Sequence, residues 1–210
     1  MDPAWAVERL TAGGMSEADF ESACVLHHAA FPKPGRTVAD VMGRKRGAWM
    51  GASGGGAVSS GAGLLPGPLV SETLPERFVV RDPEDPSVWW ANAGTLTRRI
   101  ALPDGGEWVV QGLMDVATSP AARGRGLGVA VVRAAWAAVD SGALPLCLFE
   151  TGEARPFYEK LGARVVTNRF IDSTHPKRPE VNPFTDELEM IYPADAAWPE
   201  GTIDLRGPGY

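Results

Sequence analysis

Three alternating glycines stand between an apolar strand pattern that ends at Thr118 and an apolar helix pattern that begins near Gly126. The segment reads Ser119-Pro120-Ala121-Ala122-Arg123-Gly124-Arg125-Gly126-Leu127-Gly128. Glycine lets the backbone turn tightly and approach a ligand closely. The first N–H groups of the following helix lack partners within it, and the helix dipole adds partial positive charge. The segment therefore predicts an anion site suited to a pyrophosphate, with Arg123 and Arg125 adding formal charge.

Two better-known phosphate loops do not fit this segment. The dinucleotide fingerprint needs G-x-G-x-x-G in a first βαβ unit, with an acidic residue about 20 positions later. The nucleoside-triphosphate loop ends in Lys followed by Ser or Thr. Here the glycines alternate, an arginine leads, and the segment lies in the middle of the chain. The remaining alternative is a tight turn that binds nothing.

The composition is that of an ordinary globular protein, with 44% hydrophobic and 22% charged residues. We expect one domain spanning residues 1–210, present as a monomer or homodimer.

A net charge of −6 gives no general attraction to nucleic acid or anionic membranes. No apolar run reaches about 20 residues and the N-terminus lacks an export pattern, so we expect a cytoplasmic protein. The two cysteines and three histidines lack metal-ligand spacing, so no metal is expected.

Periodicity predicts helices over residues 16–30 and 37–46, the first starting with a capping box from Ser16 to Asp19. A strand is predicted over 56–65 and a surface loop or lid over 69–86. Strands over 95–102 and 108–118 are joined by the turn Pro103-Asp104-Gly105-Gly106. A helix over 126–139, a strand over 144–149, a helix over 153–161 and strands over 163–171 and 187–192 follow. This order indicates an α/β or α+β domain with a mixed sheet.

Two motifs resemble those of the GCN5-related N-acetyltransferase (GNAT) superfamily. Arg123-x-x-Gly126-x-Gly128 after an apolar strand is similar to its acyl-CoA loop. Ala154-Arg155-Pro156-Phe157-Tyr158-Glu159-Lys160-Leu161-Gly162 resembles the helix after its fifth strand, about 30 residues later. The resemblance covers roughly residues 108–166. It implies a mixed, mostly antiparallel sheet of six to seven strands flanked by about four helices.

The resemblance also implies acetyl-CoA as co-substrate, held in a splayed V between the strands that end at Thr118 and Phe149. Pantetheine would pair with the backbone of Val116, Ala117 and Thr118. Thr151 stands where many members carry an asparagine that contacts CoA. The pyrophosphate would be bound by the run Arg123, Gly124, Arg125, Gly126, Leu127, Gly128 and Val129.

The catalytic residues are inferred from the same resemblance. Tyr158 matches the tyrosine that reprotonates the leaving thiolate, and a phenol is a donor at pH 7. Many members use a glutamate on strand four as base, but Met114 occupies that place here. Asp115 is the adjacent candidate, provided that a β-bulge turns it inward. Glu150, at the end of the next strand, is the other candidate, while His27 is interpreted as a packed side chain.

The C-terminal tail is similar in length and ending to that of aminoglycoside 2′-N-acetyltransferases, whose tail lines the acceptor site. Asp204 and the terminal carboxylate of Tyr210 would then bind the acceptor and favour a cationic amine such as an antibiotic. Glu150, outside the tail, is a further expected contact to the acceptor. A tail that only packs on the surface is the alternative.

Together these features predict an N-acetyltransferase that moves the acetyl group of acetyl-CoA to a primary amine of a small molecule by direct attack. One alternative is a non-catalytic acyl-CoA-binding or sensing module. The other is a protein or peptide N-acetyltransferase, which needs an open groove.

Overall fold

A computed structural model of the chain describes residues 5–50 and 75–210. The described residues form four α-helices: Glu17–Ala30 (α1), Val38–Met50 (α2), Leu127–Asp140 (α3) and Arg155–Lys160 (α4). They also form nine strands: Glu8–Thr11 (β1), Glu76–Arg81 (β2), Trp89–Ala101 (β3), Glu107–Thr118 (β4), Cys147–Thr151 (β5), Arg164–Val166 (β6), Arg169–Ile171 (β7), Leu188–Tyr192 (β8) and Thr202–Asp204 (β9). No helix within these ranges is long and apolar enough to cross a membrane.

The strands form one sheet in the order β1-β2-β3-β4-β5-β8-β6, while β9 pairs with β3 and β7. Neighbouring strands within this sheet are mostly antiparallel. The exceptions are β7 with β9 and β4 with β5, which pair in parallel at Gln111↔Cys147 and Gly112↔Leu148. The predicted fold class, a mixed and mostly antiparallel sheet with four helices, is confirmed. The predicted six to seven strands were too few.

The described residues divide into two compact units. The first unit comprises residues 5–50, 75–95 and 115–135, and the second comprises 96–114 and 136–210. In the first unit, α1 and α2 pack on β2 and on the start of β3, and the buried side chains include Phe20, Cys24, Val79 and Trp89. In the second unit, a separate core contains Ile100, Leu148, Phe170, Ile191 and Leu205.

Local signals set several boundaries as predicted. The Ser16 hydroxyl accepts the Asp19 N–H (3.1 Å), and the Asp19 carboxylate accepts the Ser16 N–H (3.1 Å), so the capping box at the start of α1 is confirmed. In the hairpin between β3 and β4, Leu102 N–H donates to the Gly106 carbonyl (2.8 Å). Gly105 there has a φ of 84°, which explains the glycine at that position.

Three predictions about elements need correction or lie outside the described residues. Within the loop predicted over 69–86, residues 76–81 form β2, which pairs with both β1 and β3. The strand predicted over 163–171 is two strands, since β6 pairs with β8 and β7 pairs with β9. The predicted strand over 56–65 and residues 69–74 lie outside the described residues.

Candidate active site

The loop between β4 and α3 adopts a tight turn that suits glycine. It begins with a 3₁₀ turn, Pro120–Ala122, closed by a hydrogen bond from the Ala122 N–H to the Ser119 carbonyl (2.9 Å). Gly124 and Gly126 have φ angles of 77° and 76°, a left-handed backbone that other residues adopt at a cost. Apart from the adjoining residues, no described atom lies within 4 Å of the place where a Cβ on either glycine would stand. The loop backbone is therefore open to a ligand.

Helix α3 presents its first N–H groups beside this turn. The Ala130 N–H donates to the Gly126 carbonyl (3.1 Å) and closes the first helical turn. Residues 127–129 precede that bond, and the N–H groups at such positions have no acceptor within the helix. The 14 residues of α3 add partial positive charge at this end. With Arg123 and Arg125 exposed beside it, the turn has the charge and the donors that a pyrophosphate requires.

The end of β4 departs from regular extended backbone at Asp115. Its φ is 51°, a left-handed value that is uncommon for a residue with a side chain. The Asn92 side-chain amide donates to the Asp115 carbonyl oxygen (2.9 Å) and helps to hold this conformation. Ala117 is buried in the first core, so Val116 and Thr118 point to the opposite face of the strand. The irregularity expected at Asp115 is therefore present.

The Asp115 carboxylate lies among basic side chains of three elements. Lys45 Nζ on α2 is 2.6 Å from Oδ1, and both terminal nitrogens of Arg77 on β2 donate to Oδ2 at 3.2 Å. His27 Nδ1 on α1 is 3.6 Å from Oδ1. The Arg77 side chain is fully buried and that of Asp115 is 8% exposed. A buried arginine of this kind needs its counter-charge, because an unpaired buried charge is strongly destabilising.

These contacts determine the charge states of Asp115 and His27. Burial alone would raise the pKa of Asp115, but Arg77 and Lys45 outweigh it and lower the pKa to about 2. Burial is the main cause that lowers the pKa of His27 to about 4; the cations Lys45 and Arg77 add to it and Asp115 opposes it. At neutral pH the imidazole is therefore neutral and the carboxylate is ionised. A carboxylate with so low a pKa is a weak proton acceptor, which disfavours Asp115 as the direct base.

Tyr158, in the second unit, lies on the short helix α4. Its ring is buried against Phe149 and Trp136, with centroids 4.7 Å and 6.4 Å away. Burial raises its pKa above the usual value for a phenol. The hydroxyl is consequently protonated at neutral pH, as a proton donor must be.

The comparison with protein families identifies this arrangement. Residues 84–162, which contain β3, β4, the glycine loop, α3, β5 and α4, match the family model of the acetyltransferase (GNAT) domain. Residues 84–162 are therefore a GNAT acetyltransferase domain. The protein is an acyltransferase, and this domain implies an acyl-CoA co-substrate.

Several solved structures share the fold. The chain resembles an acyl-CoA N-acyltransferase from Pseudomonas aeruginosa, with 14% identity and a TM-score of 0.52 over 90% of this chain and 99% of that chain. Escherichia coli ElaA is similar at 13% identity and a TM-score of 0.51, over 89% of this chain and 98% of that chain. A protein of unknown function from Enterococcus faecalis matches 76% of this chain at 13% identity and a TM-score of 0.51, but the chain spans 32% of its length. No curated protein matches significantly.

Two of the side chains expected at the acceptor, Glu150 and Asp204, accept hydrogen bonds from backbone groups. Glu150 Oε2 accepts the N–H groups of Thr185 and Asp186, although burial still raises its pKa. Asp204 Oδ1 accepts the N–H groups of Ser173 (3.0 Å) and Arg206 (2.9 Å). We interpret both carboxylates as anchors of the adjoining turns.

Tyr210 occupies a different environment in the second unit. Its ring packs so closely on β4 that a Cβ at Gly112 would be 2.6 Å from its Cε2 atom. The guanidinium of Arg98 lies 4.9 Å from the ring centroid, and Arg98 also donates to the Pro208 carbonyl. The Tyr210 hydroxyl is buried without a hydrogen-bond partner among the described residues. A buried donor in this state invites an explanation by a ligand or water.

The sequence did not indicate the partners of Asp115. Lys45 and Arg77 lie 70 and 38 positions away from it, and Arg77 falls within the segment interpreted as a loop. The available signal was the apolar run of residues 78–80 beside Arg77, which is typical of a short buried strand.

Proposed function

We propose that this GNAT protein transfers the acetyl group of acetyl-CoA to a primary amine of a small molecule. The observation that carries the proposal is the glycine turn at the start of α3, with Gly124 and Gly126 in left-handed backbone and open space above them. A diphosphate ester is the anion that such a turn suits, and CoA contains one. The family supports an acyl donor of this class.

In the proposed complex the pyrophosphate accepts hydrogen bonds from the N–H groups of residues 125–129. The pantetheine chain pairs with the backbone of Val116 and Thr118, in the manner of an added strand. Support comes from the positive φ of Asp115, a departure from regular strand backbone just before these residues. Thr151, buried at the end of β5, is proposed as a further contact to a CoA amide.

The reaction is a direct attack. The amine nitrogen forms a bond to the thioester carbonyl carbon, the C–S bond breaks, and the thiolate of CoA leaves. Tyr158 gives its proton to that thiolate, a role that requires its hydroxyl to be protonated at neutral pH, as burial keeps it. An ammonium acceptor first releases one proton to solvent, since only a neutral amine has the lone pair that attacks. The nitrogen releases a second proton when the amide forms, and this proton offsets the one that Tyr158 gives to the thiolate.

Asp115 is assigned a positioning role in this scheme instead of the role of direct base. Its ion pairs with Arg77 and Lys45 lower its pKa to about 2 and fix the irregular end of β4. The test is Asp115→Asn, for which kcat is measured across pH together with the melting temperature. We expect a lower melting temperature and a pH profile of unchanged shape. Loss of the acidic limb of the profile would instead identify Asp115 as the base.

A small acceptor is supported by the tail. The Tyr210 ring lies on β4 beside Gly112, and its buried hydroxyl has no hydrogen-bond partner in residues 5–50 and 75–210. Glu150 and Asp204 are proposed to shape the acceptor region through the turns that they anchor.

The deciding experiment is an acetyl-CoA turnover screen across aminoglycosides, polyamines, amino acids and peptides, read by release of free thiol. Turnover with at least one small amine, confirmed by a mass increase of one acetyl group on that amine, is the expected result. Acetylation of peptides with no small amine turned over would contradict the proposed acceptor class.

A further inference from the structure

Two tryptophans of the first unit hold Arg125 in place. The guanidinium carbon of Arg125 lies 4.8 Å from the ring centroid of Trp90, within the range of a cation–π contact. The indole N–H of Trp5 donates to the Arg125 carbonyl oxygen (2.8 Å). The rings of Trp5 and Trp90 meet edge to face, with centroids 6.0 Å apart and planes at 77°. The backbone and the side chain of Arg125 are therefore both restrained.

Trp90 is itself attached to the loop that it supports. Its indole N–H donates to the Asp82 carboxylate (3.1 Å), which sets the orientation of the ring. Its carbonyl oxygen accepts the N–H of Ser119 (2.8 Å), the first residue after β4. The backbone of Trp90 is thus hydrogen-bonded to the residue where the glycine loop begins. An exposed arginine would normally lose side-chain entropy on binding, and this stack removes part of that loss.

The restrained guanidinium differs from the rest of the loop in what it can bind. The N–H groups of residues 125–129 suit the pyrophosphate, as proposed above. The planar guanidinium suits a terminal phosphate, which it can bind through two parallel hydrogen bonds. Acetyl-CoA carries one terminal phosphate, on the 3′ position of its ribose, close to the pyrophosphate in its covalent structure.

We infer that Arg125, stacked on Trp90, binds the ribose 3′-phosphate of acetyl-CoA and makes the protein prefer CoA to dephospho-CoA. This rests on the proposed function, since it assumes that CoA is the ligand of the loop. Arg125 is the specificity-determining residue and Trp90 is a positioning residue that acts through it.

The test is calorimetric titration of CoA and of dephospho-CoA into the wild-type protein and into Arg125→Gln, which needs no acceptor. The wild type should bind CoA about tenfold more tightly than dephospho-CoA, the lower end of the range for hydrogen bonds to a charged group. Arg125→Gln should bind the two ligands within about threefold of each other, because it loses more affinity for CoA than for dephospho-CoA.

Arg123→Gln is the matched comparison, because it removes an equal charge from an exposed arginine of the same loop. Arg123→Gln should weaken the binding of CoA and of dephospho-CoA by the same factor, so the wild-type preference for CoA should remain. A loss of preference in Arg123→Gln equal to that in Arg125→Gln would overturn the inference, because general loop charge would then explain it.

Two substitutions test the stack. Trp90→Leu should lower the preference for CoA, while Trp90→Phe, which keeps an aromatic face, should retain most of it. A wild-type preference in Trp90→Leu would overturn the positioning role of Trp90. Circular dichroism of each variant verifies that the fold is intact.

The remaining outcomes separate this inference from the proposed function. If the wild type binds both ligands equally, or if Arg125→Gln weakens both by the same factor, the inference fails and CoA binding stands. If the wild type binds neither ligand, the proposed function fails and the inference fails with it.

Discussion

At the scale of single residues, the cluster around Asp115 shows most clearly what a sequence leaves undetermined. Asp115 was identified as a candidate base because it lies next to Met114 in the predicted strand. That it is ion-paired with Arg77 and Lys45 depends on which strands and helices pack together, and periodicity carries no such information. By contrast, Tyr158 was identified from a local motif, and the structure buries it with a raised pKa.

Replacement of Tyr158 by Phe should reduce kcat about 100-fold, the lower end of general-acid contributions. Affinity for acetyl-CoA should remain within about twofold, because only a hydroxyl is lost. Tyr192→Phe is the matched control: it removes a phenol hydroxyl that donates to Asp140 (2.5 Å) in the same unit. This control should lose stability of about 1 kcal/mol and keep kcat. Full kcat in Tyr158→Phe, under conditions where chemistry limits the rate, would show that the thiolate is protonated by another group.

His27 makes stability depend on pH. Its pKa in the folded protein is about 4, below its ordinary value of 6.5, chiefly because it is buried. Between these values the unfolded chain binds the proton more readily, so the free energy of unfolding falls as pH drops from 6.5 to 4. The loss should be on the order of 3 kcal/mol and should be absent from His27→Gln. Urea unfolding at several pH values measures the free energy of unfolding of the wild type and of His27→Gln. If this free energy varies with pH in the same way in the two proteins, the lowered pKa of His27 is contradicted.

At the scale of elements, the parts that could be predicted are those with short-range signals. The capping box of α1, the hairpin turn at Gly105 and the glycine loop before α3 each depend on residues within a few positions of one another. Strand β2 was missed because its three apolar residues are flanked by Arg77 and Arg81, and its pairing with β1 and β3 stabilises it. Strand β9 was missed because a three-residue strand has no periodicity to detect.

The tail beyond β9 provides a prediction at this scale. Tyr210→Phe keeps the ring on Gly112 and removes a hydroxyl that has no partner among the described residues. The melting temperature should stay within about 2 °C, since no protein hydrogen bond is lost. The acceptor KM should rise about tenfold if that hydroxyl contacts the acceptor, as the proposed function requires. The KM for acetyl-CoA is the internal control and should not change. An unchanged acceptor KM would mean that the tail only packs against the second unit and does not contact the acceptor.

At the scale of the whole molecule, the order of elements predicted the fold class, and the two motifs indicated the family. Hairpin, helix, strand, helix and strands in that order left few topologies open, and the nine-stranded mixed sheet is one of them. The GNAT assignment then depends on residues 84–162, which contain both motifs identified in the sequence. Neither the order of elements nor the two motifs determine the acceptor, because acceptor binding depends on side chains that the family motifs do not include.

The central claim is that CoA binds at the glycine turn before α3, and calorimetry of acetyl-CoA with Gly126→Val tests it most directly. Gly142→Val is the matched control: Gly142 lies just after α3, has the same φ of 76°, and likewise has no described atom within 4 Å of a Cβ. Both variants should carry similar backbone strain and similar losses of stability. Gly126→Val should bind acetyl-CoA at least tenfold more weakly than the wild type, a loss of about 1.4 kcal/mol, and Gly142→Val should bind it normally. Equal affinities in all three proteins would contradict the account.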